Sequence, residues 1–125
     1  MRIIPTRIHG MLDYATGLLL LISPYLFGFS RVGGAAQYLP MLMGVAIIGL
    51  SLVTDYELSI AKLIPMPTHL AGDVAAGALL AVSPWLFGFS DRVYLPHLII
   101  GLAEIGAGLM TRTTPDRAAF AGHHS

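Results

Sequence analysis

His9-Gly-Met-Leu-Asp13-Tyr-Ala-Thr-Gly17, five apolar residues and then Ser23-Pro-Tyr-Leu-Phe-Gly-Phe-Ser30 return further along the chain as His69-Leu-Ala-Gly-Asp73-Val-Ala-Ala-Gly77, five apolar residues and Ser83-Pro-Trp-Leu-Phe-Gly-Phe-Ser90. The histidine, the aspartate, the last glycine and nearly the whole serine-to-serine block match without a gap at an offset of 60. The second halves follow after loops of different length. Tyr38-Leu-Pro40 aligns with Tyr94-Leu-Pro96, and Gly44, Gly49, Leu52 and Thr54 align with Gly101, Gly106, Leu109 and Thr111. The unit is therefore helix, loop, helix, used twice.

Composition decides the surroundings of that unit. Of 125 residues, 55% are hydrophobic and 11% charged, and the mean hydropathy is +0.74; a soluble domain of this size needs a more polar surface. The apolar runs place spans at about 9–29, 39–55, 69–89 and 95–111, each close to the ~20 residues that cross a hydrocarbon core of about 30 Å. The expected fold is an all-α membrane protein with four transmembrane helices formed by two tandem helical hairpins. Residues 1–58 make the first hairpin, 59–68 a cytoplasmic linker, 69–112 the second hairpin and 113–125 a polar C-terminal tail. Arg2 and Arg7 ahead of the apolar run Leu18 to Ile22 imitate a signal peptide, but the same segment recurs in mid-chain, so the first copy is read as a retained span. The longest linker, from Tyr56 to Thr68, is expected to add a short interfacial helix before Pro65 and Pro67. Tyr14, Tyr25, Tyr38, Tyr56, Trp85 and Tyr94 mostly stand near span ends, where amphipathic rings prefer the interface.

An even number of spans puts both termini on one side, together with Arg2, Arg7, Lys62, Arg112 and Arg117, against Arg31 and Arg92 opposite. The positive-inside rule makes that side cytoplasmic, and the expected location is a multi-pass position in the cell's inner membrane. Equal orientation of the hairpins relates them by an axis along the membrane normal. The seven acidic and seven basic residues balance, which leaves no basic face for nucleic acid. The chain has no cysteine, which excludes disulfides, thiolate metal sites and thiol exchange.

Ser83-Pro84-Trp85, and Ser23-Pro24-Tyr25 in the same place of the first copy, lie inside the first helix of a two-helix membrane unit. In this the chain resembles the SPW-repeat family of small bacterial membrane proteins, from about His9 to Thr111. The first copy departs from the motif with Tyr25 where the second has tryptophan. The resemblance implies a membrane location and a repeat architecture, and no activity. Physically, Ser-Pro is either an N-cap with proline in the first turn or a kink whose freed carbonyl is met by serine or a neighbouring helix. Phe-Gly-Phe after it suits a tight helix end.

Ionisable residues inside spans are costly and invite a functional reading. There are five: His9, Asp13, His69, Asp73 and Glu104. Each histidine stands four residues before its aspartate, on one helix face, so carboxylate and imidazole can meet. The repeat can gather the five into one polar cluster in the cytoplasmic half, either as hydrogen-bonded register pins, with Thr16, Ser51, Thr54 or the tyrosines as partners, or as a site. Glu104 falls opposite Ile47 of the first copy, so it is not inherited scaffold. It lies on a stripe of His97, Gly101, Glu104 and Gly108, whose glycines admit a close neighbour.

No phosphate loop, nucleophile triad, metalloprotease helix or dinucleotide fingerprint is present, so the sequence leans away from an enzyme. No cofactor is predicted. His9 and His69 are weak metal or bis-histidine haem candidates, and His123 and His124 close the tail as weak metal-adhesive groups. The leading expectation is a structural or accessory membrane component that self-associates or packs with another membrane protein in the bilayer. The alternatives are a small proton- or cation-coupled transporter using Glu104 and the two His/Asp pairs, and a haem- or metal-binding membrane protein.

Overall fold

A computed structural model of the chain describes residues 2–115. Four helices follow one another, α1 (Thr6–Leu26), α2 (Gly34–Leu52), α3 (Met66–Leu86) and α4 (Leu95–Met110). Among the described residues there is no strand beyond two isolated parallel bridges. α2 and α3 are long and apolar enough to cross a membrane, and α4 is a shorter apolar helix. The expected polar tail lies largely outside the described residues, as do Arg117, His123 and His124.

α1 packs closely on α2, and α3 on α4, with lighter contact between the hairpins. Glycine makes the close packing possible. A Cβ on Gly101 would fall 2.6 Å from the carbonyl oxygen of Gly77 and 2.5 Å from the amide nitrogen of Ala81, and one on Gly44 would fall 2.5 Å from the carbonyl oxygen of Gly17. The repeat-related pairs Gly17/Gly44 and Gly77/Gly101 thus let each hairpin meet backbone to backbone, as small residues do between helices in apolar surroundings.

The Ser-Pro motif lies inside the helix, three residues before its end, and both α1 and α3 run through it. Proline has no N–H to give the carbonyl four residues earlier, which is Leu20 for Pro24 and Leu80 for Pro84. The serine hydroxyls take over that role. Ser23 Oγ donates to Leu20 O at 2.9 Å and Ser83 Oγ to Leu80 O at 2.7 Å. One turn later the helix closes in a Schellman arrangement: Phe29 N–H donates to Pro24 O and Phe89 N–H to Pro84 O, both at 2.8 Å. Gly28 and Gly88 supply the positive φ, 73° and 75°, that this cap requires. Phe29 and Phe89 turn into the bundle, whereas Phe27 and Phe87 stay exposed.

Several sequence expectations shift. The first helices of both copies begin and end three residues earlier than expected, because Gly28 and Gly88 stop them before Phe-Gly-Phe. α2 starts at Gly34, five residues early, and carries Pro40 inside it, whereas Pro96 opens α4. The buried residues Pro40, Met43, Gly44, Ile47 and Ser51 of α2 match His97, Ile100, Gly101, Glu104 and Gly108 of α4 at a constant offset of 57. The Tyr-Leu-Pro match is therefore out of spatial register by one residue. The linker forms no helix; its chain runs extended through Ile64 into Pro65. Tyr56 is fully buried rather than interfacial, since Gly10 leaves room for its ring on α1, and burial raises its phenol above the ordinary tyrosine range.

Two clasps join the hairpins. Ahead of α1, Ile3 and Ile4 donate to Met110 O at the end of α4, and Arg112 N–H donates back to Ile4 O. Ahead of α3, Leu63 and Ile64 donate to Val53 O at the end of α2, and Asp55 N–H donates back to Ile64 O. Each first helix is thus led in by a segment fastened to the end of a second helix, and the chain's own start closes the circle.

Gly101→Val should lower stability in detergent by about 2 kcal/mol, because its Cβ meets backbone that cannot step aside. Gly106→Ala, where nothing lies within 4 Å, should be neutral or stabilising by up to about 1 kcal/mol; thermal unfolding of both checks this. Ser83→Ala should cost about 1 kcal/mol by leaving Leu80 O unpaired. The same change beside Pro84→Ala should cost less, since the restored N–H can serve that carbonyl, and a double-mutant cycle reads the coupling.

Candidate functional site

α1 and α3 both begin at the clasped end of the bundle, and each carries its histidine in the first turn and its aspartate one turn further on. The four side chains meet where the two helices face each other, at 0% exposure for His9, Asp13 and His69 and 1% for Asp73.

The tighter pairing runs between the hairpins. His9 Nε2 lies 2.6 Å from Asp73 Oδ2, and His69 Nε2 lies 2.6 Å from Asp13 Oδ2. The pairs within one helix, His9 with Asp13 and His69 with Asp73, are at 3.1 Å. Two nitrogens and two oxygens thus form a closed ring, reciprocal about the axis that relates the repeats. The four-residue spacing brings each pair to one face, as the sequence implies, but each imidazole's nearer partner belongs to the other copy.

The remaining imidazole nitrogens are held by threonines at the helix ends. His9 Nδ1 lies 2.7 Å from Thr111 Oγ1, and His69 Nδ1 lies 2.7 Å from Thr54 Oγ1. Each threonine hydroxyl gives its one proton to the carbonyl four residues back, Ala107 O and Leu50 O. It can therefore only accept from the imidazole, so Nδ1 carries the hydrogen in both histidines. Nε2 is left facing the centre of the ring. Each 2.6 Å contact there needs one shared proton, and two protons against two carboxylates leave the cluster without net charge when the imidazoles are otherwise neutral. Ser51 Oγ reaches Asp13 Oδ2 at 3.4 Å. The second carboxylate oxygens, Asp13 Oδ1 and Asp73 Oδ1, are buried with no hydrogen-bond partner.

Glu104 is buried on α4 at 3% exposure, close enough for the charges of Asp13 and Asp73 to bear on it. Its Oε2 has no hydrogen-bond partner, and no hydrogen bond or ion pair ties it to the ring among the described residues. Four of the five expected residues meet directly; the fifth stands beside them, against Gly77 of α3. His97, from the same stripe, lies towards the opposite end. Its Nε2 donates to Ala36 O at 2.8 Å, and its ring sits between Phe29 and Phe89, with centroids 5.0 and 4.9 Å away. Between His97 and the ring the bundle is filled by Leu20, Met43, Ile47, Leu80 and Ile100.

Chemically, the ring offers four inward donor atoms within 4.8 Å of one another. A bis-histidine haem does not suit it, because both Nε2 atoms already face the same two carboxylate oxygens where a macrocycle would have to lie. Thr111 was legible only as a repeat match. Its role as the counterpart of Thr54 follows from the clasp, which couples the end of α4 to the start of α1.

No curated protein and no solved structure matches the chain. The model of one family, described as the SPW repeat domain, matches residues 7–111, from the turn before the first His/Asp pair to the threonine that holds His9. With both hairpins, both Ser-Pro motifs and all four ring residues inside that match, the chain belongs to the SPW repeat family.

Proposed function

We propose that the protein is a structural or accessory component of a cell membrane, with all four helices as spans, both termini on the cytoplasmic side, and the His/Asp ring as the join that holds the two hairpins in register. The family and the helical, apolar architecture fit a membrane protein, and large apolar side chains such as Leu18, Leu42, Val82 and Ile99 are exposed on all four helices. These surfaces suit lipid, a second copy or another membrane protein.

The observation that carries the structural reading is the closure of the ring. Its shortest bonds cross between the hairpins, so parting them would leave each imidazole only the carboxylate of its own helix and half of the ring's bonds unmade in apolar surroundings, where unmet polar groups are expensive. A transport reading needs a polar route onward. From Asp13 to Ser23 there are ten residues, about 15 Å of helix, and the core over that length is the apolar cluster of Leu20, Met43, Ile47, Leu80 and Ile100. Glu104 sits at the ring's end of this plug and leads no further.

Asp13→Asn and Asp73→Asn should each destabilise the fold by about 3 kcal/mol, as broken buried pairs do. Their effects should be similar, because the repeat makes the positions equivalent, and clearly less than additive when combined. Denaturation in detergent measures both. In proteoliposomes under an imposed pH gradient, wild type and Glu104→Gln should dissipate the gradient no faster than empty vesicles. Flux that depends on Glu104 would replace this reading with a transporter.

A further inference from the structure

We infer that the ring of His9, Asp13, His69 and Asp73 is a binding site for one divalent first-row transition ion of the Zn2+ type, held on the axis between the two hairpins. The inference rests on the reading of these residues as the join between the hairpins, and it names what sits at the centre of that join.

The donor set comes first. Two imidazole nitrogens and two carboxylate oxygens make an N2O2 set of borderline softness, suited to Zn2+ and its neighbours rather than to Mg2+ or Ca2+, which prefer oxygen alone. A tetrahedral ion with bonds of about 2.0–2.1 Å holds its ligands about 3.3 Å apart. Here the cross-hairpin and same-helix contacts are 2.6 and 3.1 Å, so seating the ion opens the cross-hairpin edges by about 0.7 Å and the same-helix edges by about 0.2 Å. Two carboxylates and two neutral imidazoles around a dication carry no net charge, which is the condition for burial in an apolar bundle.

Two further observations point the same way. The imidazoles are already set as ligands: each Nδ1–H is fixed on a threonine oxygen, Thr111 or Thr54, which turns the Nε2 lone pair inward, the outer-shell arrangement that orients metal-binding histidines. And Asp13 Oδ1 and Asp73 Oδ1 are buried without any protein partner. Such orphaned oxygens are costly in a purely hydrogen-bonded lock; a dication held through the two Oδ2 atoms balances the charge that the Oδ1 atoms share.

The copies differ at the base of the ring. Beside His69, the base of the ring is sealed by Tyr56, Met66 and Leu70. On the His9 side the positions equivalent to Met66 and Leu70 are Thr6 and Gly10. The Tyr56 ring covers Gly10, and a pocket of about 300 Å³ opens beside Thr6, lined by Pro5, Thr6, Glu57, Arg112 and Thr114. Thr6 stands one turn before His9, Thr6 Oγ1 donates to Glu57 Oε1 at 2.6 Å, and Arg112 follows Thr111 directly. Glu57 and Thr6 thus put a carboxylate and a hydroxyl in this pocket one turn from His9, with the Arg112 guanidinium in the same lining.

The test uses the full chain in detergent, stripped with a chelator and then dialysed against Zn2+ or Co2+, with Mg2+ and Ca2+ as controls. The expected result is one Zn2+ per chain by elemental analysis, the visible bands of four-coordinate Co2+, and a raised unfolding temperature with either ion but not with Mg2+ or Ca2+. His69→Gln and Asp73→Asn should reduce the bound ion to under about 0.1 per chain. Thr54→Val, which removes only an outer partner, should weaken binding about 10- to 100-fold. His97→Gln, and a chain ending at Pro115, should keep the full ion. Wild type that takes up neither ion while remaining folded overturns the inference, as does an ion that survives His69→Gln and leaves with residues 116–125. An ion retained by wild type while Asp13→Asn and Asp73→Asn prove as stable as wild type would sink the structural join and leave the metal site standing. Quartet variants that unfold beside a wild type that never binds an ion would do the reverse.

Discussion

Four polar side chains buried in an apolar bundle must find each other, and in this protein the shortest bonds among them run across the two hairpins. His9 takes its nearer carboxylate from α3, and His69 takes its from α1. That constraint sets the depth, register and rotation of both first helices. The rest of the structure serves it. The glycine contacts bring each second helix against its first helix, and the parallel bridges Ile4–Thr111 and Thr54–Ile64 carry the end of each second helix to the start of the other hairpin, where Thr111 meets His9 and Thr54 meets His69. A bundle held by apolar packing alone has little to choose between neighbouring registers, because its helices meet lipid and one another on similar terms. A directional polar ring selects one.

The sequence made the repeat legible because the repeat is written in residues that cannot easily be exchanged. Glycine at 17, 44, 77 and 101 is demanded by backbone contact, glycine at 28 and 88 by positive φ, and serine before proline by a carbonyl that proline leaves bare. The His-x-x-x-Asp spacing located the ring, while its partners stayed hidden. Spacing along one helix reports which residues share a face, and says nothing of which face lies opposite. The offset of 56 at Tyr-Leu-Pro misled for a related reason: identical letters aligned, but burial follows the helix period, and Pro40 faces inward where His97 does in the other copy. The missing linker helix has a similar origin. The apolar residues of that segment bridge to the end of α2, and the bridge satisfies the backbone groups a helix would otherwise have to satisfy itself.

The departures from symmetry concentrate on the second helices and at the clasped end. Ile47 faces Glu104, Pro40 faces His97, and Tyr56 has Thr113 as its counterpart. Each of these substitutions borders the ring, a glycine pair or a cap, and none replaces a ring residue, a paired glycine or a Ser-Pro residue. Two copies of a hairpin can drift in this way only where the join does not depend on them. The ring residues come in reciprocal pairs, so a change in one copy damages a bond to the other, and neither can vary alone.

The same reciprocity explains why polarity is confined to one end. Both first helices enter at the clasped end, so equivalent residues near their starts meet at the same level, and a duplicated polar pair becomes a ring of four. Further along the bundle the equivalents are Leu20 with Leu80, flanked by Ile47, Met43 and Ile100, and the duplicated letters build an apolar layer instead. Polar contact returns where Ser23, Ser83 and His97 sit, and there the two hydroxyls and His97 Nε2 are spent on carbonyls of the bundle's own backbone. A duplicated hairpin of parallel orientation therefore stacks like with like in layers. A chain built on that rule can hold a polar centre at one depth without opening a path through the rest.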